Sequence, residues 1–501
     1  MALHPFLWLI LIPVLASPVV YLAGRLAGAA MARWLAFLTL AVTGAPFALA
    51  AQDLAANGAA TFTLGLVKLK FDGLSLLLAA LALGLGACVT LFSNAYMRGE
   101  AGEEKYYAAL LAMIGVIVGL GCANDLFNLW IWFEAMAVAS YMLVAFYRDQ
   151  PASLEAGVKY LVQSAVGSVL VMLGIAAVFG ATGQLSLQSI AVAAQASATQ
   201  ASAVGLLAAG ALMTVGFGVK AALVPLHTWL PDAHSQAPSG ISAMLSGVVI
   251  EAGLIALLRA VAPLLGEGDA GARFGQLLLL FAALNMILGN LLALKQTQVK
   301  RMLAFSSLSH VGYMLLGFGV AAYTGQAAAA QGGVFHMLSH GLMKGLAFLA
   351  AGALLYTLYV ANGAHGPLTV SDLNGAARRY PLAALALGIA VLGLAGLPPL
   401  VGFMSKWQIF VGGFQAGDTL AALLVIFAAL NSVLSLTYYA PLVNAMYRRQ
   451  TSDAVRRGRA MPLTMVIPLV VMSILVVALG MWPALVEGLT GPASLALVAG
   501  K

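Results

Sequence analysis

The chain has 501 residues, of which 62% are hydrophobic and only 8% charged, and its mean hydropathy is +0.98. Soluble domains carry about 25% charged residues, so the composition excludes a soluble enzyme and predicts an all-α integral membrane protein with little mass outside the bilayer. The formal net charge of +7 would suit nucleic acid, but its placement along the chain argues against that class.

About 20 apolar residues cross the hydrocarbon core. Runs of that kind start near residues 5, 32, 73, 106, 125, 158, 203, 239, 274, 301, 331, 381, 419 and 463, which predicts about fourteen transmembrane helices. The first run, Pro5 to Gly24, lacks a basic leader and a small-residue cleavage site, and reads as a retained helix rather than a signal peptide. Residues 53–72 alternate apolar and polar through Thr61-Phe62-Thr63-Leu64, the pattern of a short hairpin over the outer face. The stretch from Ala181 to Ser202, rich in Ala, Gln and Ser, reads as an outside loop. Proline and glycine interrupt the spans near 203 and 381.

Lys and Arg orient the spans. With the N-terminus outside, sixteen of them fall in inner segments, from Arg25, Arg33, Arg98 and Lys105 through Arg148, Lys159, Lys295, Lys300, Arg301, Arg378 and Arg379 to the cluster Arg448, Arg449, Arg456, Arg457 and Arg459. Only Lys68, Lys70, Arg259, Arg273 and Lys501 fall outside. Both termini are therefore expected on the outer, periplasmic side of a cytoplasmic (inner) membrane, with the basic loops facing its anionic inner leaflet. That accounts for the net charge, and no nucleic acid is expected as a partner.

Five ionisable residues lie inside apolar runs: Glu134, Lys220, Glu251, Lys344 and Lys406. A charge at the bilayer centre costs at least about 2.5–3.5 kcal/mol, so each marks a functional candidate. Desolvation favours the neutral form of an acid or a lysine, and a nearby opposite charge favours the ionised form. Protonation of such groups can therefore be switched by small movements. Glu134 lies in Trp132-Phe133-Glu134-Ala135-Met136, where a structural ion pair is the alternative. Lys220 precedes Pro225, and Lys406 follows Leu397-Pro398-Pro399; a snorkelling lysine is the alternative for both. His336, His340 and Lys344, spaced i, i+4 and i+8, share a helix face as a titratable ladder, with packed core histidines as the alternative. A zinc reading lacks a third ligand. His227, Asp232 and His234 follow the first break, as a proton inlet from the inside or a surface turn.

The chain also reads as duplicated. An offset of 176 residues places Glu134 on His310, Ser164 on His340 and Ser168 on Lys344. Broken helices in corresponding positions of two five-span units mark ion paths in inverted-repeat transporters. The expected organisation is an N-terminal three-helix segment (1–105), a first half-channel (106–265), a second (266–446) and a C-terminal helix and tail (447–501). No metal or cofactor is expected, because Cys88 and Cys122 stand alone and no glycine-rich stretch opens a soluble nucleotide fold.

The segment Lys220 to Gly247, containing His-Thr-Trp-Leu-Pro-Asp-Ala-His-Ser-Gln-Ala-Pro-Ser, resembles the antiporter-like membrane subunits of respiratory complex I, of membrane-bound hydrogenases and of Mrp-type sodium/proton antiporters. So do Lys300-Arg301-Met302-Leu303-Ala304-Phe305-Ser306-Ser307-Leu308-Ser309-His310, then His336 to Lys344, then Leu397-Pro398-Pro399 through Lys406. The resemblance implies fourteen helices with two inverted five-helix repeats, Glu134 and Lys220 as the charges of one half-channel, Lys344 with His336 and His340 in the other, and Lys406 at the exit. Glu251 departs from it, since a lysine or histidine is common there. The implied function is proton translocation by a non-redox subunit of a redox-driven complex, with other membrane subunits, lipids and protons as partners and any enzymatic activity residing in those subunits. The alternative is a subunit of an Mrp-type antiporter exchanging Na+ for protons without redox chemistry.

Overall fold

The computed structural model describes residues 4–65, 67–196, 200–265, 269–364 and 366–498, with the side chains of 196, 200–203, 497 and 498 excepted. Loop positions 197–199 and Lys501, which figure in the reading above, lie outside the described residues. The protein is an all-α integral membrane protein. Its helices in chain order are α1 (Pro5–Ala27), α2 (Ala29–Asn57), α3 (Gly73–Tyr96), α4 (Glu103–Cys122), α5 (Leu126–Val144), α6 (Pro151–Thr182), α7 (Leu187–Ala196), α8 (Gln200–Lys220), α9 (Trp229–Gln236) and α10 (Ser239–Met244). They continue with α11 (Ile250–Val261), α12 (Asp269–Leu294), α13 (Val299–Thr324), α14 (Ala327–Leu358), α15 (Pro381–Ala395), α16 (Val401–Gln415), α17 (Thr419–Tyr447), α18 (Asp453–Arg457), α19 (Leu463–Met481) and α20 (Glu487–Val498).

Among the described residues, twelve helical stretches are long and apolar enough to cross a membrane, counting α10 and α11 as one through Ser239–Leu264. A thirteenth is counted if the bent pair Ser371–Arg378 and α15 is one span, and the remaining expected start, near 203, falls on α8, whose apolar part Val204–Lys220 is shorter than a span. A π-helical turn, Leu245–Val249, joins α10 to α11 just before Glu251; such turns locally widen the helix and are frequent at functional positions.

The hairpin expected near residues 53–72 is present as β1 (Ala60–Leu64) and β2 (Val67–Phe71), antiparallel with Ala60 opposite Phe71. It covers the end of α4, where Asn124 N–H donates to the Lys68 carbonyl. The stretch 181–202 is not simply a loop. It holds α7, whose Leu187 and Ile190 bury one face against the turn Ala262–Leu264, and its alanines carry the highest helix propensity.

The duplication has a structural counterpart. The 176-residue offset carries Pro151–Thr182 onto Ala327–Leu358 with both ends in register. The residue before α5 bridges to the segment after α6 (Asp125 with Ser186), and the residue before α13 bridges to the segment after α14 (Gln298 with Thr369). The two broken spans are five apart in order, so they run in opposite directions, and each break holds one cis peptide, Val224–Pro225 and Pro398–Pro399.

Charged residues at the helix ends are tied across elements. Arg33 pairs with Glu103 at 3.0 Å and Arg25 with Glu104 at 3.8 Å, joining α1 and α2 to α4. On the opposite face Asp72 caps α3 in a reciprocal arrangement with Ser75, and Arg259 at the end of α11 reaches Asp72 at 2.5 Å. Burial alone would push the Asp72 carboxyl up, but the Arg259 guanidinium and the Ser75 N–H hold it below the usual carboxylate range. A depressed folded value means this contribution persists at neutral pH and is lost as pH falls through that value. Removing one partner of a buried pair costs about 3–5 kcal/mol, whereas replacing both with apolar groups costs far less. Asp72→Ala is therefore expected to lower the thermal midpoint of the detergent-solubilised protein more than Asp72→Ala/Arg259→Met does. An equal or larger loss in the double variant would contradict the clamp.

Candidate functional site

The first break leaves polar backbone groups at membrane depth, where they must be paired within the protein. Ala222, a non-glycine residue at φ 54°, turns the chain after Lys220. Asn285 of α12 then satisfies both sides of the turn, accepting from Val224 N–H at 2.9 Å and donating to the Ala222 carbonyl at 3.0 Å. The Trp229 indole N–H donates to the Val219 carbonyl at 2.8 Å. Its ring stacks on Tyr160 of α6, centroids 4.0 Å apart.

Lys220 ends in this pocket. It is fully buried, donates to Ser164 Oγ at 3.0 Å, and lies 3.9 Å above the Tyr160 ring. Its stem runs along α11, where a Cβ on Gly253 would come within 2.9 Å of the Lys220 Cβ. Glu134 on α5 acts on Lys220 electrostatically, yet among the described residues the two form no ion pair within 4.0 Å, and Glu134 Oε1 is buried without a hydrogen-bond partner. The expected pair is thus separated, with Lys220 held by Ser164 and the Tyr160 ring.

Beyond the break the expected inlet segment is the helix α9, not a loop. Asp232 on it joins Lys159 of α6 at 3.0 Å and Arg301 of α13 at 2.7 Å, so one carboxylate ties together helices assigned to the two halves. Burial opposes ionisation of Asp232, but hydrogen bonds from Lys159 and Arg301 hold its carboxyl below the usual range. His227 is half-buried, with Nδ1 unpartnered. His234 is fully buried, which excludes the surface-turn alternative for that residue.

The second half centres on α14. His336 Nδ1 meets Ser405 Oγ at 2.9 Å, and its Nε2 meets His310 Nδ1 at 3.1 Å. The His310 ring lies 5.3 Å from that of His340, and His340 Nδ1 meets Glu251 Oε1 at 3.1 Å. A file of buried side chains thus runs from Glu251 through His340, His310 and His336 to Ser405, beside Lys406. Lys344 leaves this file. Its ammonium donates to the Leu303 carbonyl at 2.7 Å and Ser306 Oγ at 2.5 Å, and Ser306 contacts the Tyr439 hydroxyl. The single ladder expected for His336, His340 and Lys344 is therefore split, with His310 of α13 joining its two histidines.

Lys406 closes the second break. Helix α15 ends at Ala395, leaving carbonyls with no partner in their own helix. Lys406 donates to the Leu394 carbonyl and to Ser432 Oγ, both at 2.8 Å, and Ser432 donates to the Ala395 carbonyl at 2.7 Å. The Tyr313 ring lies 4.5 Å from the ammonium. Asn285, Tyr160, Trp229, Ser306, Tyr313, Ser405 and Ser432 went unmarked in the sequence. Of these, a mid-span Asn285 carried a signal, since a buried amide needs partners. Among the described residues no three His, Cys, Asp or Glu side chains are grouped to hold a metal.

Comparison with known proteins adds a second line. A family described as "NADH:quinone oxidoreductase/Mrp antiporter, TM" matches residues 123–432, and one described as "NADH-Ubiquinone oxidoreductase (complex I), chain 5 N-terminus" matches 61–107. F(420)H(2) dehydrogenase subunit N of Methanosarcina mazei is 34% identical over 87% of this chain and 86% of its own length. NADH-quinone oxidoreductase subunit N of Desulforudis audaxviator is 31% identical over 83% of this chain and 82% of its own. A chain of the membrane-bound sulfane sulfur reductase, an archaeal respiratory membrane complex, superposes with a TM-score of 0.88 at 27% identity, covering 99% of this chain and 98% of that one.

The contact between His340 and Glu251 is testable by itself. Contacting residues show coupling energies of about 0.5–3 kcal/mol in double-mutant cycles. Unfolding of the solubilised single and double variants Glu251→Leu and His340→Leu should give a coupling in that range, and strict additivity would remove this link from the file.

Proposed function

Because the chain belongs to the NADH:quinone oxidoreductase/Mrp antiporter family of membrane subunits, we propose that it moves protons within a redox-driven multi-subunit membrane complex, in which partner subunits carry out the electron transfer. The observation that carries the reading is the buried file from Glu251 to Ser405, with the Lys406 ammonium seated on a broken helix. Imidazoles that accept a proton at one nitrogen and release one from the other suit a relay. The division into half-channels at residues 106–265 and 266–446, between an N-terminal segment 1–105 and a C-terminal part 447–501, belongs to the same proposal.

The proposed drive is electrostatic. Movement of a neighbouring subunit changes the distance between Glu134 and Lys220, which are close enough to interact but not paired. Lys220 releases its proton when the carboxylate withdraws, and the charge change passes through Glu251 and the histidines to Lys344 and Lys406. His227 and His234 take part in uptake. The positive-inside bias of the basic loops supports uptake from the cytoplasmic side of an inner membrane, with both termini outside. Lipid contacts the apolar outer faces of α6 and α17, where Val158, Val169, Leu430 and Val433 are exposed.

With the whole complex reconstituted in liposomes and driven by NADH or reduced coenzyme F420, Glu134→Gln and Lys406→Ala should each lower proton movement roughly tenfold or more. Unchanged pumping in both would overturn the relay. Radiolabelled sodium flux in the absence of any electron donor would instead assign the subunit to a sodium/proton exchanger.

A further inference from the structure

The basic face carries cations that the proton reading does not use. Two helices that pack together, α15 and α19, both begin there, at Pro381 and Leu463. Arg379 precedes the first and Arg459 the second. A cavity of about 410 Å3 lies between these starts, lined by both arginines together with Tyr380, Leu382, Met461 and Val466. No carboxylate lines it. A larger cavity on the same face is lined by Lys105 and Arg148 but also by Glu100 and Asp149, and so carries both signs.

Tyr380, which is buried, organises the two guanidiniums. Its ring lies 5.9 Å from that of Arg379, and its hydroxyl donates to the Arg459 carbonyl at 2.9 Å. Arg379 donates to the Val455 carbonyl at 3.1 Å and also reaches the carbonyls of Arg456 and Gly458, at the end of α18. A guanidinium has five N–H groups, so these bonds leave donors unused. Arg459 donates from Nε to Asn362 Oδ1 at 2.8 Å, and among the described residues its Nη atoms meet no acceptor. The first-turn N–H groups of Leu382 and Ala383 add positive potential, as helix N-termini do. In the first turn of α19, Thr464 Oγ1 is buried without a hydrogen-bond partner.

Beyond the arginines the surface is apolar. On α19, Leu463, Ile467, Val471 and Ile474 recur at helical spacing and are exposed, as is Leu385 on α15. The strip from Leu463 to Ile474 runs for about 16 Å at 1.5 Å per residue.

We propose that this cavity binds the headgroup phosphate of an anionic phospholipid, whose acyl chains lie along the exposed strip of α19. A guanidinium meets a phosphate through two parallel charge-assisted hydrogen bonds. Basic pockets between membrane helices on the cytoplasmic side suit anionic headgroups. The apolar strip that continues from the cations favours a lipid over a soluble anion. An occupied site ties the starts of α15 and α19 to the segment after α18, and α15 is the helix whose far end Lys406 caps.

The test uses the whole complex in phosphatidylcholine nanodiscs that contain a trace of a lipid with a photoreactive diazirine chain. Labelled peptides are mapped by mass spectrometry after illumination. A phosphatidylglycerol probe should label the start of α19 at least about fivefold more than a phosphatidylcholine probe with the same chains, the effect of one basic residue on an anionic lipid. Arg459→Gln should bring phosphatidylglycerol labelling down to the phosphatidylcholine level while labelling of α17 stays unchanged. Equal labelling by the two probes overturns the site, as does a preference that survives Arg459→Gln. Loss of the preference in excess inorganic phosphate at matched ionic strength would show a soluble-anion site instead and overturn the lipid. No labelling by either probe would show that a partner subunit covers the groove, and overturns it too. The two-probe comparison needs no variant, so it decides the matter if Arg459→Gln does not assemble. Proton movement does not enter the readout, so the site and the proton-conducting reading fail separately.

Discussion

The structure depends on one constraint: polar groups released inside the membrane must find partners within the protein. Two helices break at membrane depth, and each break frees carbonyls and amides that lipid cannot solvate. Side chains from other helices meet that demand. Asn285 and Trp229 satisfy the first break, and Lys406 with Ser432 the second. The residues that make the breaks tolerable are also the polar residues of the interior, so architecture and chemistry share the same atoms.

The two halves meet the constraint differently. Lys220 precedes its break and is held by a hydroxyl and an aromatic face. Lys406 follows its break and is held by the broken helix itself. Lys344 lies between these extremes, bound to a carbonyl of an intact helix and to Ser306. None of these lysines is neutralised by a carboxylate within ion-pair distance among the described residues. Their charge is solvated by dipoles and rings, an arrangement in which moving one charge nearby has a large effect at low dielectric. Glu251 departs in sign from the resemblance, yet it sits against His340, so an acid and an imidazole together occupy the centre and can share a proton.

Coupling between the halves has a physical seat on the basic face. Asp232 joins α6 and α13 through Lys159 and Arg301, beside the break that carries Lys220. Motion of α6 relative to α13 therefore passes through a helix of only eight residues, whose other face carries His234. On the opposite face the Asp72–Arg259 clamp anchors the end of α11, the helix that carries Glu251.

Much of this was legible in the chain. Hydropathy located the twelve long spans, because transfer of about 20 residues into lipid is a sum over a contiguous segment. The alternation at Thr61–Leu64 announced the hairpin, and the cost of lone charges in lipid marked Glu134, Lys220, Glu251, Lys344 and Lys406. Less was legible about pairing. The sequence placed His336, His340 and Lys344 on one face, but only packing turned Lys344 toward α13 and inserted His310 between the histidines. It counted Lys300, buried in the first turn of α13, as an inner-loop cation and read α9 as a loop, because a cation within a turn of a helix start is the same in one dimension whether it faces water or a neighbouring helix. The sequence alone determined which segments enter the membrane and which carry charge there, since burial in lipid is a local property of the chain. Only the tertiary structure decided which buried groups touch, since hydrogen-bond partners such as Glu251 and His340, 89 residues apart, are brought together by helix packing.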